Sequence, residues 1–230
     1  MNSMALPLAS TPTAADSSIR NGHPSPTAPT APGDPEAWRL GDQVPQTPRR
    51  WLRALGWWIL RRAGWRFEGQ MPDLPRFVVI VAPHTSNWDF PVGLAGKWAL
   101  GLDCHFWGKD TLFRPPLGWF MRANGGIPVD RRNKHNVVHD TVAAMRTAER
   151  FVLVLSPEGT RKKVEAWRSG FWHVAQGAGV PVCCVALDWG RKVIRLGPTT
   201  MAEEADPAVG IARMRQLFDG VVGRNPLQQG

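Results

Sequence analysis

The sequence predicts an α/β fold, a single domain with a mixed, mostly parallel sheet covered by helices and an amphipathic helix at its N-terminal end. Three observations carry this. Short apolar runs at 77–82, 151–155 and 180–187 are separated by segments of helical periodicity, the alternation that places helices on a parallel sheet. The runs are continuously apolar, as expected of strands buried on both faces. A chain of 230 residues, 43% hydrophobic and 20% charged, can bury one sizeable core and is short for two.

Residues 1–47 are rich in Pro, Ser, Thr, Ala and Gly without apolar periodicity, and read as a disordered tail. Residues 48–68 form the amphipathic element. Between 49 and 66 there are six Arg, four Trp and no acid, and at 100° per residue Trp51, Leu52, Ala54, Leu55, Trp58, Ile59 and Trp65 share a face. Arg49, Arg50, Arg53 and Arg61 fall opposite, while Trp57 and Leu60 break the pattern. Such a helix can lie in a headgroup plane or pack its apolar face on the core, and both readings stand.

The domain proper spans 69–222. Within it the pattern gives a strand at 77–82, a helix at 90–100, and extended segments at 104–107 and 127–129. A helix at 134–150, the strand 151–155, a helix at 170–178, strands at 180–187 and 193–196 and a helix at 205–218 follow. Residues 223–230 read as a flexible C-terminus.

A net charge of +9 calls for an anionic partner. Twelve Trp with no Tyr favour a lipid boundary over nucleic acid, because indole places an apolar body in acyl chains and keeps its N–H wet. No apolar stretch reaches the roughly 18 residues of a spanning helix, and 90–102 is interrupted by Lys97. The first residues lack a secretory pattern, and three cysteines fit a reducing compartment. The expectation is a cytoplasmic protein, peripheral on the inner face of the cell membrane.

Chemistry concentrates in loops that leave strand ends, where α/β sheets place their sites. Pro83-His84-Thr85-Ser86-Asn87-Trp88-Asp89 follows the 77–82 strand. A carboxylate five residues after a His can bond one ring nitrogen and leave the other as a base, although the same pair could simply cap the next helix. Ser156-Pro157-Glu158-Gly159-Thr160-Arg161 follows the 151–155 strand and offers a close-approach glycine, a hydroxyl and a guanidinium suited to phosphate. Gly125 to Arg132 adds two cations beside a glycine pair.

In this order, these blocks resemble the lysophosphatidic acid and glycerol-3-phosphate acyltransferase family. His84 and Asp89 match its His, four residues, Asp block; Arg131 ends the second; Glu158, Gly159, Thr160 and Arg161 match the third; Val180-Pro181-Val182 matches the fourth. The sequence departs from the family in having Pro83 before the His, Cys184 where a second proline is usual, and no long hydrophobic N-terminal helices.

The resemblance implies a glycerol-3-phosphate acyltransferase-like fold and an O-acyltransferase with His84 as base and Asp89 as its support. Arg131, Glu158, Gly159, Thr160 and Arg161 would form the substrate site, Glu158 also ordering its loop. The partners implied are a lysophospholipid acceptor, an acyl thioester donor (acyl-CoA or acyl carrier protein) and an anionic membrane surface, with no cofactor. His135 and His139, four apart on a helix, lack a third ligand, so no metal is expected. His173 reads as packing or pocket wall, and 167–170 as a possible groove lining.

Two rivals remain from the sequence. A non-enzymatic binder of anionic membrane or nucleic acid explains the charge and Trp, but not a His and an Asp in one loop. A lipid hydrolase or transacylase could use the same His84, and differs in whether water or a lysolipid takes the acyl group.

Overall fold

The computed structural model describes residues 38–129 and 134–229. Its elements run α1 (Arg50–Arg62), β1 (Arg66–Gly69), β2 (Arg76–Ala82), α2 (Asp89–Leu100), β3 (His105–Lys109), a 3₁₀ turn (Asp110–Phe113), α3 (Gly118–Ala123) and β4 (Gly126–Val129). Then come α4 (Lys134–Thr147), β5 (Phe151–Leu155), α5 (Gly170–Ala178), β6 (Val182–Asp188), β7 (Val193–Thr200), α6 (Pro207–Gln216) and a 3₁₀ turn (Pro226–Gln228). The strands form one sheet of order β1-β7-β6-β2-β5-β3-β4. All pairings are parallel except β6–β7, so the expected α/β architecture with a mixed, mostly parallel sheet is found.

Alternation along the central strands divides the core in two. Phe77 and Val79 of β2, with Cys183, Val185 and Leu187 of β6, face α1 and α2. Val78, Ile80 and Ala82, with Val182, Cys184 and Ala186, face α4, α5 and α6. Because β2, β5 and β6 run in parallel, their carboxyl ends at Ala82, Leu155 and Asp188 lie along one sheet edge. The loops after β2 and β5 therefore emerge side by side.

Four expectations change. Residues 38–47, assigned to the tail, pack on the core through Trp38, Leu40 and Val44, while the rest of the 1–47 segment lies outside the described residues. Helix α1 ends at Arg62, Gly64 at φ +75 turns the chain, and Trp65 leads into a strand.

Helix α1 is also rotated from the expected face. It buries Leu52, Gly56, Trp57 and Leu60 and leaves Trp51 and Trp58 outside, 65% and 62% exposed. The cause is close approach to α2, since a Cβ on Gly56 would stand 2.4 Å from Ala99 N and 2.7 Å from Ala95 O. The glycine ridge must face α2, and this sets the helix orientation. Arg53, expected in solvent, caps α2 by donating to Ala99 O.

The fourth change is at the C-terminus, where residues 221–229 fold back against the loop after β2. Among the described residues, no helix is long and apolar enough to cross a membrane.

Candidate active site

His84 and Asp89 meet as their spacing allows. Strand β2 ends at Ala82, and the loop turns so that Asp89, the first residue of α2, lies beneath it. Asp89 Oδ2 accepts Thr85 N at 2.8 Å and Ser86 N at 2.7 Å, and stands 3.2 Å from His84 Nδ1. Its other oxygen accepts from Trp189 Nε1 at 2.8 Å. The carboxylate is therefore surrounded by donors, and its place at the start of α2 adds the favourable field of the helix N-terminus. A carboxylate that already accepts three N–H groups requires His84 to present Nδ1–H to it, which leaves Nε2 as the basic nitrogen. The Asp89 side chain is 2% exposed and that of His84 28%, so the acid is sealed while the imidazole reaches the surface.

His84 is among the residues that line an apolar cavity of about 220 Å³. The cavity runs between α2 (Phe90, Gly93, Leu94) and the sheet (Val79, Val185, Ile194). Its α2 lining extends from Phe90 to Leu100, about 15 Å at 1.5 Å per residue. Lys97 also lines it, but the ammonium is drawn off to Cys104 O and Asn124 O, leaving the aliphatic stem at the wall. Ser156 Oγ lines the same cavity, buried and without a hydrogen-bond partner among the described residues.

Glu158 arrives from the loop after β5. Its carboxylate oxygens lie 3.1 and 3.0 Å from His84 N, which donates to them, so it holds the backbone of the base. It is 3% exposed, and burial pushes its carboxyl above the usual carboxylate range, opposed by the His84 N–H. It lines a second cavity, beside Trp167 and Arg215, and not the apolar one. Gly159 sits at φ +63, which calls for glycine, while a Cβ there would displace only the flexible end of the exposed Arg168 side chain, its Nε 2.5 Å away. Thr160 is half-buried, and Arg161 is exposed in the same loop.

Arg131 lies outside the described residues, as does the side chain of His135. His139 is a solvent group beside Asp140. His173 is exposed on α5 and lines neither cavity, correcting its reading as packing or pocket wall. Of the 167–170 stretch, Trp167 packs on Phe218 with ring centroids 5.3 Å apart. Cys183 and Cys184 are buried on opposite sheet faces, and burial pushes the Cys184 thiol to about 12, consistent with small apolar side chains.

Sequence reasoning missed the C-terminal contribution. Asn225 N donates to Thr85 Oγ1 at 3.1 Å and its Nδ2 to Thr85 O at 2.9 Å. The Gln228 amide, with nitrogen turned inward, donates to Thr85 O at 3.0 Å and to Arg161 O at 2.9 Å, tying together the loops after β2 and β5. Trp189, which bonds Asp89, follows the end of β6, so its position at a strand's carboxyl end was the one available signal.

The Acyltransferase family model matches residues 68–188, from β1 through the end of β6. The 1-acyl-sn-glycerol-3-phosphate acyltransferase of Streptococcus pneumoniae is 28% identical over 124 residues, 53% of this chain and 46% of that protein. The chain thus spans about half the length of the curated relative it matches. The crystal structure of the 1-acyl-sn-glycerophosphate (LPA) acyltransferase PlsC from Thermotoga maritima shares the fold, with a TM-score of 0.51 at 16% identity over 74% of this chain and 79% of that chain. With a family match covering more than half its length and a His-Asp pair assembled within the matched segment, this chain belongs to the Acyltransferase family.

Proposed function

We propose that the protein is an O-acyltransferase that moves a fatty acyl group from a thioester donor to the hydroxyl of a lysophospholipid such as 1-acylglycerol-3-phosphate. The observation that carries this reading is that His84 lines the apolar cavity, which brings a site for an acyl chain to a base. The acyl chain lies between α2 and the sheet, with its carbonyl beside His84. His84 Nε2 takes the proton of the acceptor hydroxyl as the oxygen attacks the thioester carbon. The carbon–sulfur bond breaks, and the departing thiolate takes the proton back from the imidazolium. Asp89 supports the imidazolium, and such base catalysis is worth about 10² to 10⁴ in rate. Ser156 Oγ, buried and unpartnered in the cavity wall, supplies a donor for the carbonyl oxygen.

Arg161, with Arg131, holds the acceptor phosphate. Coenzyme A or acyl carrier protein delivers the acyl group, and no cofactor takes part. The protein works at the inner face of the cell membrane, where Trp51 and Trp58 on α1 enter the headgroup region beside basic residues. The test is to incubate purified protein with labelled acyl-CoA or acyl carrier protein and a panel of lysolipids, and to identify products by mass spectrometry. Acylated lysophospholipid is the expected product. Release of free fatty acid alone would make the protein a hydrolase, and no product from any donor would end the enzymatic reading.

A further inference from the structure

The C-terminal segment brings a cation to the rim of the His84–Asp89 pair. The Arg224 guanidinium carbon lies 5.3 Å from the ring centroid of Trp88 and 4.6 Å from that of Trp189. Trp88 directly precedes Asp89, and Trp189 bonds Asp89, so Arg224 is one side chain removed from the buried carboxylate. Its position is fixed from both sides in sequence. Trp189 N donates to Val222 O at 2.8 Å, and Asn225 is clamped to Thr85.

A cation–π contact uses none of the guanidinium's N–H donors in a hydrogen bond to an oxygen, so they are left for an acceptor. Among the described residues no carboxylate pairs with Arg224, although it is exposed. Elsewhere on the surface carboxylates do take up arginines: Arg66 and Arg191 both reach Glu68, at 3.5 and 2.8 Å, and Arg213 reaches Glu204 at 3.3 Å. A second cation, Lys192 Nζ, lies 4.5 Å from the same Trp189 ring centroid. Arg161 stands beyond Thr85, joined to it through Gln228. Arg224, Lys192 and the Arg161 loop thus bring cations to the rim of the base, outside the Asp89 and Glu158 carboxylates that hold it, and among the described residues no carboxylate pairs with Arg224.

We propose that Arg224 is a binding residue for a phosphate monoester, that of the acceptor lipid, and acts with Arg161 across the loop from it. The catalytic part of this inference rests on the proposed acyl transfer; the anion site itself does not. The stacked indoles Trp88 and Trp189 provide a direct readout, since anion binding to Arg224 should change their fluorescence.

The experiment titrates the full chain with short-chain 1-acylglycerol 3-phosphate, kept below its aggregation concentration and free of vesicles, and with the corresponding uncharged monoacylglycerol. Losing a charge-assisted contact should weaken binding of the phosphate ligand about tenfold or more in Arg224→Gln, with Arg224→Lys between. The loss for the uncharged ligand should be several-fold smaller, and in turnover assays the effect should fall on KM for the phosphate acceptor. Asn225→Ala, which loosens both Thr85 and the anchor of Arg224, should lower kcat with both acceptors and also raise KM for the phosphate acceptor. Unchanged binding in Arg224→Gln, or equal losses on both ligands, would overturn the proposal. So would a loss seen only in parallel co-sedimentation with anionic vesicles, which would make Arg224 a membrane contact. If Arg224→Gln melts at a lower temperature, Arg224→Lys decides, since it keeps the charge and must keep most of the phosphate preference. Should the wild type transfer no acyl group yet lose phosphate binding in the variant, the acyltransferase reading fails and the anion site stands.

Discussion

Replacing Asp89 by Asn tests the pair through its most constrained member. Four donors converge on the carboxylate: Thr85 N and Ser86 N at 2.8 and 2.7 Å, His84 Nδ1 at 3.2 Å and Trp189 Nε1 at 2.8 Å. An amide has one oxygen to offer. Placed at Oδ2 it keeps three contacts but makes them neutral, and its NH₂ then faces the indole N–H, donor against donor. Weakening charge-assisted bonds costs about 1 kcal/mol, and an orphaned buried N–H about 1 to 3 kcal/mol, so the variant should lose on the order of 3 kcal/mol of stability. The imidazolium also loses its counter-charge, so kcat should fall steeply, though somewhat less than the roughly 10²-fold or greater loss expected for His84→Ala. Urea denaturation and acyl transfer measured on the same preparations give both quantities. Adding Trp189→Phe removes the facing donor and should restore about 1 kcal/mol to Asp89→Asn, a coupling that a double-mutant cycle resolves. If Asp89→Asn keeps more than about a tenth of wild-type turnover, or if the double variant is no more stable than Asp89→Asn, the assignment of Asp89 as a donor-surrounded counter-charge is wrong.

Three further outcomes follow. Burial raises the Glu158 carboxyl in the folded protein, so the folded state binds more protons than the unfolded one between the ordinary and the raised value, and stability falls as pH rises through that window. Glu158→Gln keeps an oxygen for His84 N and lacks this loss, so its melting temperature should gain on wild type as pH rises across the carboxylate range; parallel curves would refute the shift. Trp51→Ala with Trp58→Ala should weaken salt-dependent co-sedimentation with anionic vesicles while leaving melting nearly unchanged, since both side chains are exposed, and equal binding would remove α1 from the membrane contact. A Cβ at Gly93 would meet nothing within 4 Å, and Gly93 lines the apolar cavity, so Gly93→Leu should fill acyl space at little cost to folding. Excluding two or three methylenes at about 0.8 kcal/mol each should lower the long-to-short donor preference about thirtyfold, and an unaltered preference would place the acyl chain elsewhere.

The sheet was legible because its central strands are buried on both faces and so read as unbroken apolar runs; Phe151–Leu155 and the helix Gly170–Ala178 match their expected bounds. Short elements were not. Strand β1, four residues of Arg-Phe-Glu-Gly, is defined by pairing with β7 and shows no period of its own, and α3 has only six residues. The rotation of α1 was hidden for a different reason. An amphipathic wheel weighs side chains by polarity, whereas the helix is turned by the absence of one at Gly56, which lets α2 approach and draws Trp57 inward. In the site, the His84–Asp89 spacing was readable because both partners lie in one loop. Trp189 and Asn225 act on that loop from far along the chain, and neither composition nor periodicity marks them.

The C-terminal segment shows why composition alone misjudges such regions. Gly223 to Gln229 has one large apolar side chain, Leu227, which stays exposed, and the entropy of ordering the segment argues for a frayed end. Its compensation lies in directed hydrogen bonds to Thr85 and Arg161 and in two guanidinium–indole contacts, none of which needs an apolar run. These contacts converge on the loop that carries the base. Glu158 holds His84 N, Asp89 holds Nδ1, Trp189 holds Asp89, and Asn225 and Gln228 hold Thr85. The restraints on His84 itself are made through its backbone N–H and through the rear nitrogen of its ring. The arrangement fixes the direction of the imidazole and leaves Nε2 for a proton, which is the division that preorganised base catalysis requires.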